Sequence, residues 1–137
     1  MKKIHSKLSD DVLLAVLNRR EDCNKKRKNL SEDKEVMQVS AKNLSPDDKF
    51  KPHKHSKIKR VTDVTQEAWV IISGRIKAKI WDLDDTLAYE TEMSSGDCLV
   101  AFYGGHCFEV LESDTVLYEF KNGPYYGVDK DKTDIRG

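Results

Sequence analysis

The apolar pattern of the chain changes period once. In "LSDDVLLAVLNRRED", Val12, Leu13, Val16 and Leu17 recur at helical spacing, which predicts a short amphipathic helix over residues 9–22. Ser9 or Asp10 can cap it, and Arg19 and Arg20 fall near its C-terminal end, where cations are favoured. "CNKKRKNLSEDKE" is charged throughout and reads as a surface loop. From Val36 onward the period is two. "VMQVSAKN" predicts a strand, and "KFKPHKH" an extended segment whose Pro52 marks a sheet edge or bulge. "EAWVIIS" and "RIKAKIWD" flank Gly74 as the arms of a hairpin. "TLAYETEM", "CLVAFY", "HCFEVLE" and "TVLYEFK" predict further strands, separated by Gly- and Asp-rich turns, with no second helix. Short strands at close spacing predict an all-β fold, an antiparallel sandwich or barrel. The division expected is a helix and charged loop over 1–35, followed by a β-domain over 36–137.

Composition adds limits. A length of 137 residues suits one domain. The net charge of zero argues against a general nucleic-acid binder, yet it conceals an asymmetry. Residues 1–60 carry 17 Lys and Arg against 9 acids, and residues 61–137 carry 7 against 15. A polar N-terminal layer on an acidic domain accounts for this, and a polyanion-binding front is the alternative. The three cysteines are odd in number and form no CxxC, which fits a reducing compartment. The N-terminus lacks the apolar core of a signal peptide, and no run approaches a membrane span, so a cytoplasmic protein is expected. The unequal halves and the edge-like Pro52 segment add a homodimer to the expectations.

Candidate chemistry gathers around four side chains. On a strand, His53 and His55 share a face, as do Glu67, Trp69 and Ile71. If those faces point inward, an unpaired carboxylate is costly there, and a divalent metal relieves the cost by accepting imidazole and carboxylate together. His106 follows the paired glycines Gly104 and Gly105 and alternates with Phe108 and Val110, so it is expected to point inward as well. Lys51, Lys54 and Lys57 surround the histidine pair, and an exposed polar edge is the alternative reading, with Glu67 a solvated strand end.

"PHKH", "EAWVIISG" and "GDCLVAFYGGH" resemble the two cupin motifs, with the spacing from Glu67 to Gly74 matching the first. "RKNL", "MQVSAKNLSPDDKFKPHKH" and the closing "YEFKNGPYYGVDKDK" narrow the resemblance to the WbuC-type cupin metalloproteins. The resemblance implies a single jelly-roll barrel. It also implies one divalent transition metal (Zn, Mn, Fe, Ni or Co) held by His53, His55, Glu67 and His106. Such proteins are associated with bacterial surface-polysaccharide gene clusters, which implies a sugar or nucleotide-sugar as the small-molecule ligand.

Glu119 and Lys121 share a face of the last strand, as a polar wall of the pocket or as a surface ion pair. Tyr103 and Tyr125, with Tyr126, are candidates for its mouth, and the "GPYYG" segment is expected to close it in part. Three functions fit: a metal-dependent isomerase, epimerase, lyase or dioxygenase; a non-catalytic sugar- or metal-binding module; and a metal-free ketoisomerase- or epimerase-like cupin whose histidines act as acid or base. No residue is assigned a catalytic role from sequence.

Overall fold

The structure, a computed structural model, describes residues 1–135. Ten strands run in chain order: β1 Lys2–His5, β2 Leu13–Asn18, β3 Lys28–Asn29, β4 Ser40–Ala41, β5 Glu67–Ser73, β6 Arg75–Trp81, β7 Leu87–Ser94, β8 Cys98–Ala101, β9 Gly105–Val110 and β10 Val116–Lys121. All pairings are antiparallel, in a five-stranded sheet of order β1-β2-β8-β5-β10, a three-stranded sheet β7-β6-β9, and the small pair β3-β4. The described strands thus make an all-β fold of separate sheets rather than one closed barrel. Among the described residues no helix is long and apolar enough to cross a membrane.

The two larger sheets enclose the main core. Leu14, Leu17, Trp69, Ile71 and Leu99 from the five-stranded sheet pack on Ile76, Ala78, Ile80 and Met93 from the three-stranded one. A second cluster covers the other face of the five-stranded sheet, where Leu13, Val16, Ala68, Val100 and Phe102 meet Leu30, Met37 and Val39.

The predicted N-terminal helix is a strand. Every residue of β2 is buried, because it lies inside the sheet with a layer on each face. Its register against β1 slips between Ile4 and His5, which pair with Ala15 and Leu13. Leu14 is the extra residue of this bulge. The slip sends Leu14 and Leu17 to one core and Leu13 and Val16 to the other, each pair three apart. That spacing imitates a helical stripe. Among the described residues, the helical ones are the 3-10 turn Arg20–Asp22 and one α-turn, α1, at Val128–Asp131 within the tail expected to be helix-free.

The predicted hairpin across Gly74 is also different. β5 pairs with β8 and β10, while β6 pairs with β7 and β9, so the two arms belong to different sheets. Gly74, at φ +77°, is the corner between them, and a Cβ there would collide with Thr115. Of "VMQVSAKN" only Ser40–Ala41 pairs, and residues 42–66 form no strand.

Polar ties fix the corners. Asp82, buried, accepts from Ser6 Oγ at 2.5 Å and from the backbone N–H groups of Lys7 and Leu83 at 2.7 and 2.8 Å, joining the β1–β2 turn to the β6–β7 turn. Arg19 donates to Asp97 Oδ2 and Glu92 O, both at 2.7 Å, and to Thr91 Oγ1 at 2.8 Å, binding the end of β2 to β7.

Candidate functional site

Between the sheets, at the end where β5 begins and β9 enters, lies a cavity of about 690 Å³. Glu67, Trp69, His106 and Phe108 line it, Tyr103, Gly104 and Gly105 bound one side, and residues 130–133 with Ile135 form another wall.

Each element places its side chain for a local reason. Glu67 and Trp69 sit two apart on β5 and so share the inward face. The Trp69 Nε1–H donates to Glu67 Oε1 at 2.6 Å. His106, on β9, brings Nε2 to 3.5 Å from Glu67 Oε2, an ion pair when the imidazole is protonated. The Trp69 ring meets His106 and Phe108 edge-on, with centroids 5.4 and 5.0 Å away. Gly104, at φ +72°, turns β8 into β9 against the Trp81 carbonyl, where a Cβ has no room.

Glu67 is buried. Burial alone pushes its carboxyl up. Hydrogen bonds from His106 and Trp69, the His106 charge and a smaller contribution from Glu119 outweigh it and hold the group at about 2, below its ordinary 4.5. The result is an ionised carboxylate in a mostly desolvated position.

Glu119 and Lys121, on β10, are not among the residues that line the cavity. In the register of β10 with β5, Glu119 stands opposite Trp69 and Lys121 opposite Glu67. Lys121 Nζ pairs with Asp131 Oδ2 at 3.3 Å and lies 4.7 Å from the centroid of the Tyr125 ring. Tyr125 and Tyr126 are exposed, and the C-terminal wall is built by residues 130–135 rather than by the tyrosines. Tyr103 does reach the cavity. Burial and the nearby Glu35 carboxylate push its hydroxyl up.

The structure brings Glu67 and His106 within 3.5 Å of one another. It does not bring the histidine pair to them. His53 and His55 lie exposed in the segment without strands, not on a common strand face. Their rings are neighbours, 5.4 Å apart and edge-on, and His53 Nδ1 is 3.0 Å from the Lys51 carbonyl. Among the described residues no group of three or more His, Cys, Asp or Glu converges in a way that could hold a metal. Glu67 and His106 have the donor chemistry of two ligands, an ionised oxygen and an imidazole nitrogen within reach of one another.

Sequence reasoning missed a second buried network behind the site. Gln66 donates from Nε2 to Glu35 Oε2 at 2.5 Å, accepts from the Met37 N–H at 2.9 Å, and donates its own N–H to Asn122 Oδ1 at 2.7 Å. Its neighbour Glu67 is thereby fixed at the start of β5. A polar residue just before an apolar run was visible, but its partners lie far away in sequence. The walls at Lys130 and Asp131 carried no signal beyond a polar tail.

Comparison with family models, with curated proteins and with solved structures gives no match.

Proposed function

We propose that this chain is a cupin-like jelly-roll protein that binds a small molecule in the cavity over Glu67 and His106. In this reading those two residues hold one divalent transition metal, joined by His53 and His55 once residues 50–62 fold over the mouth. The observation that carries the proposal is the Glu67 carboxylate, buried yet held ionised by Trp69 and His106 at the base of a cavity. A buried anion with two fixed donors is costly to build and suits a cation.

The segment bearing the histidine pair has somewhere to go. β9 is the edge of its sheet, with one side unpaired, and it carries His106. Extended chain from residues 50–62 added along that edge would carry the imidazoles toward His106. When bound, the metal polarises a carbonyl or hydroxyl of the ligand. The remaining work falls to the chain. Trp69 orients Glu67 through its indole N–H, Phe108 and Trp69 exclude water from one side, and Lys121, steadied by Asp131, presents a cation beside Glu67. Mixed apolar and ionic walls suit a polar ligand with several hydroxyls. A sugar or nucleotide-sugar, handled in the cytoplasm, follows from the resemblance in sequence.

A second reading rests on the 3.5 Å contact itself. Glu67 and His106 already form an acid–base pair without a metal, as an isomerase or epimerase would use. Elemental analysis of untagged protein purified without chelators separates the two. The metal reading expects close to one transition metal per chain, lost in His106→Ala and largely lost in His53→Ala, while His5→Ala keeps it. No metal after reconstitution with Zn, Mn, Fe and Ni removes that reading and leaves the acid–base pair.

A further inference from the structure

We propose that the cationic face formed by residues 25–28 and 42–51 binds single-stranded nucleic acid, with Phe50 as the stacking platform for a base and Arg27 and Lys42 as phosphate contacts. Two stretches of chain meet there. Lys28 and Asn29 pair with Ala41 and Ser40, and the Asn43 N–H donates to the Lys25 carbonyl at 3.0 Å. Beside them lies a cleft of about 190 Å³ lined by Lys26, Arg27, Lys42, Leu44 and Phe50. Lys42 Nζ stands 5.4 Å from the centroid of the Phe50 ring, and Phe50 is 61% exposed. The cleft shares no lining residue with the cavity over Glu67, so the proposal does not depend on the metal reading.

The cations of β6 each have an acid beside them. Arg75 pairs with Glu92 and Glu112, Lys77 with Glu90, and Lys79 with Glu90 and Glu109. On the cationic face the balance is different. Residues 25–28 are all Lys or Arg, and residues 42–60 hold seven Lys and Arg against two acids. Asp48, one of those two, already pairs with Lys26. Among the described residues, Arg27, Lys42, Lys49 and Lys51 have no carboxylate within ion-pair distance. All four are exposed. Clustered cations without counter-charges raise a positive field that draws an anion from outside. The zero net charge of the chain is a sum over two unlike halves and does not describe this face.

The ring decides which anion. An exposed aromatic between Lys49 and Lys51, with Lys42 against it, offers a π-face to a base while the neighbouring cations meet the flanking phosphates. An acidic peptide would engage the charges and leave the ring without a partner. A duplex keeps its bases stacked inside, and its major groove admits a helix or a two-stranded ribbon. Among the described residues this face has neither of useful length, since β3 and β4 are two residues each and residues 42–66 form no strand. A single strand uses both features of the face, the charges for its backbone and the ring for a base.

The test is fluorescence anisotropy of a labelled oligothymidylate titrated with untagged protein across a salt series. Wild type is expected to bind with a dissociation constant of about 1–100 μM near physiological salt, and more tightly below it. Phe50→Ala should raise that constant at least about fivefold and leave its salt dependence unchanged, as loss of stacking does. Arg27→Gln and Lys42→Gln should each weaken binding and reduce the steepness of log K against log salt by about 0.7. Lys77→Gln, on β6, should do neither. Arg27, Lys42 and Phe50 are exposed, so their variants should keep the melting temperature of wild type. Absence of binding at about 50 mM salt overturns the proposal. So does wild-type affinity in Phe50→Ala, or a loss in Lys77→Gln equal to that in Lys42→Gln. Equal displacement of the oligonucleotide by polyglutamate would make an acidic protein the partner instead, and equal affinity for a duplex would remove the role of the ring; either result also overturns it.

Discussion

The indole N–H of Trp69 donates to Oε1 of Glu67 at 2.6 Å, within one strand and on one face. Removing that donor leaves a buried carboxylate oxygen without its partner. Trp69→Phe should therefore cost about 1–3 kcal/mol of stability in urea unfolding beyond the loss of ring area. Glu67→Gln in the same background should recover part of it, because a neutral amide tolerates the missing donor better. Equal losses in the single and double variants would show that the indole acts by packing alone.

Asp82 should make stability depend on acid. Burial pushes its carboxyl up, but hydrogen bonds from Ser6, Lys7 and Leu83 outweigh this and hold it below the ordinary 3.8. A carboxylate depressed on folding contributes stability that is fully present above 3.8 and is lost as pH falls through the folded value. Urea midpoints measured from about pH 5 down to about pH 2 should fall less steeply for Asp82→Asn than for wild type. Parallel slopes would place the acid sensitivity elsewhere.

Leu14 reports on the nature of the N-terminal segment. It is fully buried at the β2 bulge, and its carbonyl accepts from the Phe102 N–H at 2.8 Å. Leu14→Ala should cost about 2–5 kcal/mol, the range of a core truncation. Amide exchange across residues 13–18 should be protected to nearly the global unfolding level. A peripheral helix would exchange early and tolerate the change.

Gly74→Ala should destabilise by about 1–2 kcal/mol or more, since its φ is left-handed and a Cβ meets Thr115. The loss should appear as a lower melting temperature, with the strand content unchanged by circular dichroism.

The β architecture was legible from apolar runs between Gly- and Asp-rich turns and, where a strand is half-buried, from its alternation. Ile76, Ala78 and Ile80 in β6 are the clearest case. The period failed where burial was two-sided. β2 has no polar face to reveal its alternation, and its bulge replaced a period of two by a spacing of three. The Gly74 turn was legible but its partner strands were not, since a tight turn joins two sheets as readily as two arms. In the site, Glu67 and His106 were candidates from face, spacing and the resemblance, while Trp69 was read only as sharing the face of Glu67. Gln66, Glu35 and Asn122 were not, because hydrogen bonds between residues 31 and 56 positions apart leave no local periodicity. The histidine pair has the spacing of a strand, yet the stretch from Lys49 to Arg60, which holds Pro52 and six cations, forms no strand in the structure.

The long segment between β4 and β5 is tied at both ends, at Ala41 by strand pairing and at Gln66 by its buried bonds. His55 lies 12 residues before Glu67, so the chain can carry it at most about 40 Å from that carboxylate. A side chain leashed this way never dilutes away. Its effective concentration near the cavity is set by the leash and lies in the millimolar range typical of short flexible connections. In the proposed metal reading, a cation at Glu67 and His106 would meet two further imidazoles at a concentration that free histidine in solution would rarely match.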